Sequence, residues 1–213
     1  MRQYKFLYDH LIKAYGDYLR SNPKTLLCRI TDVLYSFDFR IGSFLGSPSH
    51  YMIMKNSLQD LDKDKGCRKW DLKPQNFFEP TRDLVPDKMK TEAAKSGLAD
   101  ELDEEIVLTQ KQKDQLMFLL KQDVEFLTEI ETIDYSLLLG RYPKEHFGET
   151  QQPESFISGV TSGDGKWVYK MCIVDFLWNV KQLHPKVIQI AGIALPEQTV
   201  TTVPPKYKDE FLK

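Results

Sequence analysis

The chain has 213 residues, 41% of them hydrophobic and 28% charged, and its 29 basic against 31 acidic side chains leave a net charge of -2. That length suits one good core, or one lobe of a larger catalytic domain. The near balance of charge gives no global pull on nucleic acid or anionic lipid, so no nucleic-acid partner is expected and any membrane contact must come from a local patch. No apolar run approaches the ~20 residues that span a bilayer. No charged-then-apolar leader follows Met1, and the three scattered cysteines, Cys28, Cys67 and Cys172, form no metal-ligand pattern and fit a reducing, cytoplasmic compartment.

Leu7, Leu11, Ala14, Tyr15 and Tyr18 share one face of a first helix, which Asn22-Pro23 ends because proline disfavours helical backbone in the residue before it. Strands rich in apolar and aromatic residues are predicted over 26–39 and 51–58, separated by a turn region at 42–49. Residues 79–108 hold two prolines, several acids and few large apolar side chains in their middle, the signature of a mobile excursion. A second helix opens with Thr109 and Gln112 as a capping pair and repeats Leu116, Leu119, Leu120, Val124, Leu127 and Ile130 at helical spacing. A short strand over 135–139 follows. A loop over 143–165, rich in Gly, Pro, Ser and Gln, leads to a strand over 166–176. Residues 180–203 show no period. A last helix starts at Pro204-Pro205, where proline is tolerated in the first turn. The whole reads as a single α+β domain with no internal repeat.

Asp134 breaks into an apolar run where the second helix gives way to a strand. A charge at such a junction costs free energy unless it is hydrogen-bonded, paired or bound to a metal. Asp71, in Lys69-Trp70-Asp71-Leu72-Lys73, and Asp175, after Met171-Cys172-Ile173-Val174, keep similar company. Three isolated carboxylates at strand edges suggest a cation site. Asp123 lies on the core face of the second helix and reads as a structural carboxylate satisfied by backbone amides or an arginine. Tyr135 and Ser136 read as packing and hydrogen-bonding neighbours of Asp134, and Cys172 as buried packing. Asp60, Asp62 and Asp64 imitate a calcium loop, but Lys65 stands where that loop needs glycine.

Taken in order, Asn22-Pro23-Lys24-Thr25-Leu26-Leu27, Asp71-Leu72-Lys73, Asp123-Val124-Glu125-Phe126-Leu127, Ile133-Asp134-Tyr135-Ser136-Leu137-Leu138 and Ile173-Val174-Asp175 resemble the motif series of the phosphatidylinositol phosphate kinases. The resemblance runs from about Tyr4 to Phe211. It implies that family's fold, a distant relative of the two-lobed protein kinases, with mostly the C-terminal lobe and part of the N-terminal lobe present. It further implies ATP and Mg2+ as cofactors, and a phosphoinositide in an anionic membrane surface as substrate, most directly phosphatidylinositol 4-phosphate. Asp71, Lys73, Asp134 and Asp175 would be catalytic, with Asp134 and Asp175 on the metal and Lys73 also on the nucleotide. Met54, Lys55 and Asn56 would form the nucleotide-binding hinge, and 180–203 the activation loop, with Lys181 and Lys186 at the headgroup. The implied location is cytoplasmic, peripheral at the plasma membrane. A homodimer is left open.

The resemblance places the family's glycine-rich phosphate loop and strand lysine upstream of the first helix, inside which this chain begins, so the alternative expectation is a truncated or catalytically degenerate member that binds lipid or regulates an intact kinase. Pro74-Gln75 replaces the family's Gly-Ser, Ile133 its methionine, and the paired lysines of the activation loop are missing. Lys181, Lys186, Lys206 and Lys208 read equally as surface lysines kept for solubility. Asp71-Leu72-Lys73-Pro74-Gln75-Asn76 also copies the catalytic loop of protein kinases. Spacing argues against a protein-kinase fragment, because Asp175 lies 104 positions beyond Asp71. In protein kinases the metal-binding Asp-Phe-Gly follows within about a dozen and a half residues, as that resemblance implies.

Overall fold

The computed structural model describes residues 11–36, 49–58, 66–74, 102, 104–147, 155–179, 187–190, 193–196 and 202–213. Helix α1 (Ile12–Ser21) leads to strands β1 (Ile30–Ser36) and β2 (Ser49–Met54), an antiparallel ribbon. Then come β3 (Arg68–Leu72), α2 (Gln110–Glu129), β4 (Thr132–Ile133), β5 (Ser136–Pro143) and the short α3 (Lys144–Phe147). Strands β6 (Val160–Thr161), β7 (Trp167–Val174), β8 (Trp178–Asn179), β9 (Val187–Ile190) and β10 (Ile193–Pro196) precede α4 (Pro204–Phe211). Helices packed on antiparallel sheets make this an α+β fold. The main sheet has the order β3-β5-β7-β6 and every pair in it is antiparallel.

Alternation along the strands sends Trp70, Leu139, Tyr169, Met171 and Ile173 to one face of the sheet, and all five are buried. That face joins one core with Leu116, Leu120, Val124 and Leu127 of α2, whose apolar side chains recur every third or fourth residue. The helix begins as its sequence requires. Thr109 Oγ1 accepts from Gln112 N, and Gln112 Oε1 accepts from Thr109 N, a reciprocal cap on two otherwise unpaired amides. On the far side of Trp70, Arg68 stacks 5.2 Å from its ring, and both Arg68 and Arg141 bond to Glu104. Residues 104–108, inside the predicted excursion, are docked here: Ile106 and Leu108 pack on the core and Val107 N donates to Tyr169 Oη.

The strands predicted over 26–39 and 51–58 are shorter than expected. Leu26 and Cys28 bond instead to the outer edge of β7, Ile173 N donating to Leu26 O at 2.7 Å and Cys28 N to Ile173 O at 2.9 Å. Residues 55–58 turn inward, with Asn56 Oδ1 accepting from Leu58 N and Ser57 and Leu58 buried. The strand predicted over 135–139 extends to Pro143 because β7 pairs with it over its whole length. Within 180–203, β9 and β10 form an antiparallel pair with Ile190 opposite Ile193. Among the described residues no helix is long and apolar enough to cross a membrane.

Candidate active site

Three strand ends meet at one edge of the main sheet. Lys73 lies just past the end of β3, Asp134 just before β5, and Asp175 directly after β7. Because β5 runs antiparallel to both neighbours, its start lies beside their ends, with Leu72 opposite Leu137 and Val174 opposite Ser136. Residues far apart in sequence thereby become neighbours.

The Lys73 ammonium donates to Asp134 Oδ1 and to Asp134 O, both at 3.1 Å, and lies 3.9 Å from Asp175 Oδ2. Asp71 lies on β3, two residues before Lys73, and its Oδ1 is buried without a hydrogen-bond partner among the described residues. Among the described residues the cluster therefore sets three carboxylates around one ammonium. Burial of the carboxyl group raises the Asp175 pKa, Lys73 pulls it down, and the charges of Asp71 and Asp134 push it up further. With 54% of that side chain still open to solvent, screening tempers the push.

The backbone singles out the same residues. Among the described non-glycine residues only Glu131, Asp134 and Asp175 have positive φ, at 58°, 64° and 62°. Glu131 ends α2. The other two are site carboxylates, held in a left-handed conformation that costs about 1–3 kcal/mol and persists where surrounding structure imposes it. Aspartate tolerates it better than most residues because its short side chain can bond locally.

Several side chains brace this edge from behind. Asp123 is fully buried on α2: its Oδ1 accepts from Tyr18 Oη at 2.6 Å and Thr25 Oγ1 at 2.5 Å, and its Oδ2 from Leu26 N at 2.6 Å. This fixes residues 25–26, whose carbonyl in turn holds Ile173, two residues before Asp175. Asp123 is thus the structural carboxylate expected, satisfied by hydroxyls and an amide instead of an arginine. Tyr135 packs wholly buried between α4 rings, and its hydroxyl has no partner among the described residues. Tyr135→Phe is therefore expected to leave stability unchanged or raise it by about 1 kcal/mol, since it removes a buried group that makes no bond. A urea titration checks this.

Cys172 is fully buried as expected, and the hydrogen bond between its thiol and that of Cys28 raises the pKa of Cys172 and lowers that of Cys28. Lys55 belongs to the same neighbourhood. Its amide donates to Arg29 O and its carbonyl accepts from Cys28 Sγ, while Met54 ends β2 and Asn56 caps the turn to Leu58. The segment 54–56 is exposed, and it joins the sheet through buried Leu58, against which Gly140 leaves no room for a side chain: a Cβ there would meet Leu58 Cδ2 at 2.7 Å. Lys181 and Lys186 lie outside the described residues. Lys208 pairs with Glu125 of α2 at 2.7 Å. Sequence reasoning missed Tyr207, whose hydroxyl reaches Tyr135 O across 72 positions, because nothing local to either residue signals the contact.

The donor set fits magnesium. Among the described residues no group of three or more His, Cys, Asp or Glu side chains could by itself hold a metal ion. Magnesium seldom needs such a cage, because it binds through one or two carboxylates and completes its shell with water and substrate phosphates. Asp134 and Asp175 flanking one lysine match that pattern.

No curated protein matches the chain. A family model described as Phosphatidylinositol-4-phosphate 5-Kinase matches residues 1–154, a span that includes Asp71, Lys73 and Asp134 and ends before Asp175. With well over half its length matched, the chain belongs to the phosphatidylinositol-4-phosphate 5-kinase family.

Proposed function

We propose that the chain forms the catalytic edge of a lipid kinase that moves the γ-phosphoryl group of ATP to the 5-hydroxyl of phosphatidylinositol 4-phosphate, working at the cytoplasmic face of the plasma membrane. The observation that carries this is the Lys73 ammonium set between Asp134 and Asp175, the two carboxylates on left-handed backbone. In the reaction the bond from the γ-phosphorus to the ADP oxygen breaks, a bond to the inositol oxygen forms, and the hydroxyl proton is released.

Catalysis of such a transfer is mostly positioning and charge stabilisation. Lys73 supplies a fixed positive charge for the oxygens of the phosphoryl group in flight. Asp134 and Asp175 would hold magnesium, which supplies neutralisation of the phosphate charge when bound. Asp71 adds a third carboxylate to the field that draws the cation in. Met54, Lys55 and Asn56 line the nucleotide in this reading, in a two-lobed arrangement with the β1–β2 ribbon as part of the upper lobe. Lys181 and Lys186 contact the headgroup, each contributing on the order of 1 kcal/mol near an anionic surface.

The test is to incubate the longest translated product containing this chain with Mg2+, labelled ATP and anionic vesicles, each carrying one of the three monophosphorylated phosphatidylinositols. Label in the bisphosphate made from the 4-phosphate lipid is the expected result. Label made only from another isomer overturns the assigned position. A folded protein that labels no lipid overturns the activity and leaves a lipid-binding or regulatory domain.

A further inference from the structure

Asp134 must be held in its left-handed conformation by its surroundings, and what holds it on one side is plain. Thr132 Oγ1 donates to Leu127 O at the end of α2, and Ile133 pairs with Trp178 in the β4–β8 ladder. On the other side the β5 ladder begins only at Ser136. Tyr135 falls between the two ladders, so its buried carbonyl needs a donor from elsewhere.

That donor is Tyr207 of α4. Its hydroxyl lies 2.6 Å from Tyr135 O, its ring centroid 4.8 Å from that of Tyr135, and Phe211 closes the same ring at 4.9 Å. Tyr207 is fully buried. Helix α4 is itself anchored, starting on Pro204 in its first turn and tied to α2 through Lys208 and Glu125. Burial and the neighbouring charge of Asp134 raise the Tyr207 pKa, which keeps the phenol protonated and able to donate. This helix lies beyond the residues that the family model matches.

We infer that Tyr207 is a positioning residue, its hydroxyl fixing the Tyr135–Ser136 peptide, one residue beyond Asp134, so that the Asp134 carboxylate is presented to the metal and to Lys73. The inference rests on the reading of Asp134 as a magnesium ligand. Groups that orient a metal ligand from behind are worth about 10–100-fold in metal affinity.

The experiment is a Mn2+ titration of the same translated product, followed by electron paramagnetic resonance in the presence of a non-hydrolysable ATP analogue, with thermal unfolding of each variant alongside. The wild type should bind Mn2+ and Asp134→Asn should lose that binding; a wild type without such a site overturns the metal reading and this inference with it. Given that site, Tyr207→Phe should weaken Mn2+ binding about tenfold. Two controls separate positioning from packing. Phe211→Leu, which loosens the same helix and keeps the hydroxyl, should bind as the wild type does, and Tyr207→4-aminophenylalanine, which restores a donor, should recover the affinity. Wild-type binding by Tyr207→Phe, an equal loss in Phe211→Leu, or no recovery with the restored donor overturns the role of the hydroxyl. Should Tyr207→Phe not fold, the donor-retaining variant and Phe211→Leu decide the matter by the same criteria.

Discussion

Lys73→Ala is expected to lower phosphate transfer from ATP to lipid by about a thousandfold, the scale on which a single donor to a developing oxyanion is felt. The lysine does two things at once. It donates to the carboxylate and the carbonyl of Asp134, and it faces Asp175, so it both orients the carboxylates and places a positive charge beside them. Its removal leaves Asp71, Asp134 and Asp175 uncompensated. Lys73 and Asp134 keep only 23% and 27% of their side chains exposed, so the change also costs folding stability, and thermal unfolding of the variant should show a lowered melting temperature with a folded protein at the assay temperature. Lys73→Arg keeps the charge in a planar fork that cannot point one compact ammonium at several oxygens, so it should recover only part of the rate. The measurement is initial rate against ATP concentration, where the loss should fall mainly on kcat. A variant at wild-type rate removes Lys73 from the chemistry.

Asp123→Ala should be the most damaging change to folding. It leaves the Tyr18 and Thr25 hydroxyls and the Leu26 amide without their acceptor in a buried place, at about 1–3 kcal/mol for each donor left unpaired. A total near 4 kcal/mol is a large part of the roughly 5–15 kcal/mol that holds a domain together, and should lower the melting temperature by roughly 10 °C. Asp123→Asn tests the charge instead of the shape. Its amide would confront the Leu26 N–H donor to donor. Burial raises the Asp123 pKa while its three donors oppose that rise. For a carboxyl raised in the folded state, the stability it contributes is fully present below the ordinary aspartate pKa and is lost as pH rises through the raised value. The cost of Asp123→Asn should therefore be larger near pH 4 than at pH 7, as urea titrations at the two values would show.

Periodic features were legible. The Thr109–Gln112 cap, the core face of α2, the proline start of α4 and the structural role of Asp123 all follow from short-range patterns that the helix geometry enforces. The aspartates stood out because each interrupts apolar company. What escaped depends on contacts distant in sequence. The positive φ of Asp134 and Asp175 carries no glycine to announce it. Residues 26–28 looked like a strand of the ribbon, and only the presence of Ile173 beside them diverts their hydrogen bonds to β7. The β9–β10 pair lies in a segment without alternation, so its existence had no signal. The tie between Glu104 and two arginines joins positions 36 or more apart.

The fastening of Leu26 and Cys28 to β7 fixes the root of the ribbon. Ile173 bonds Leu26 and Cys28, and the Tyr15 hydroxyl spans Cys28 O and Ile30 N, so the chain is clamped through Ile30. The irregular register between Ile30 and Asp32 comes directly after that clamp, and the returning strand crosses at Lys55, bonded to Arg29. The root of the ribbon is thus bonded to the same strand that ends at Asp175, so that a change to either is felt at both.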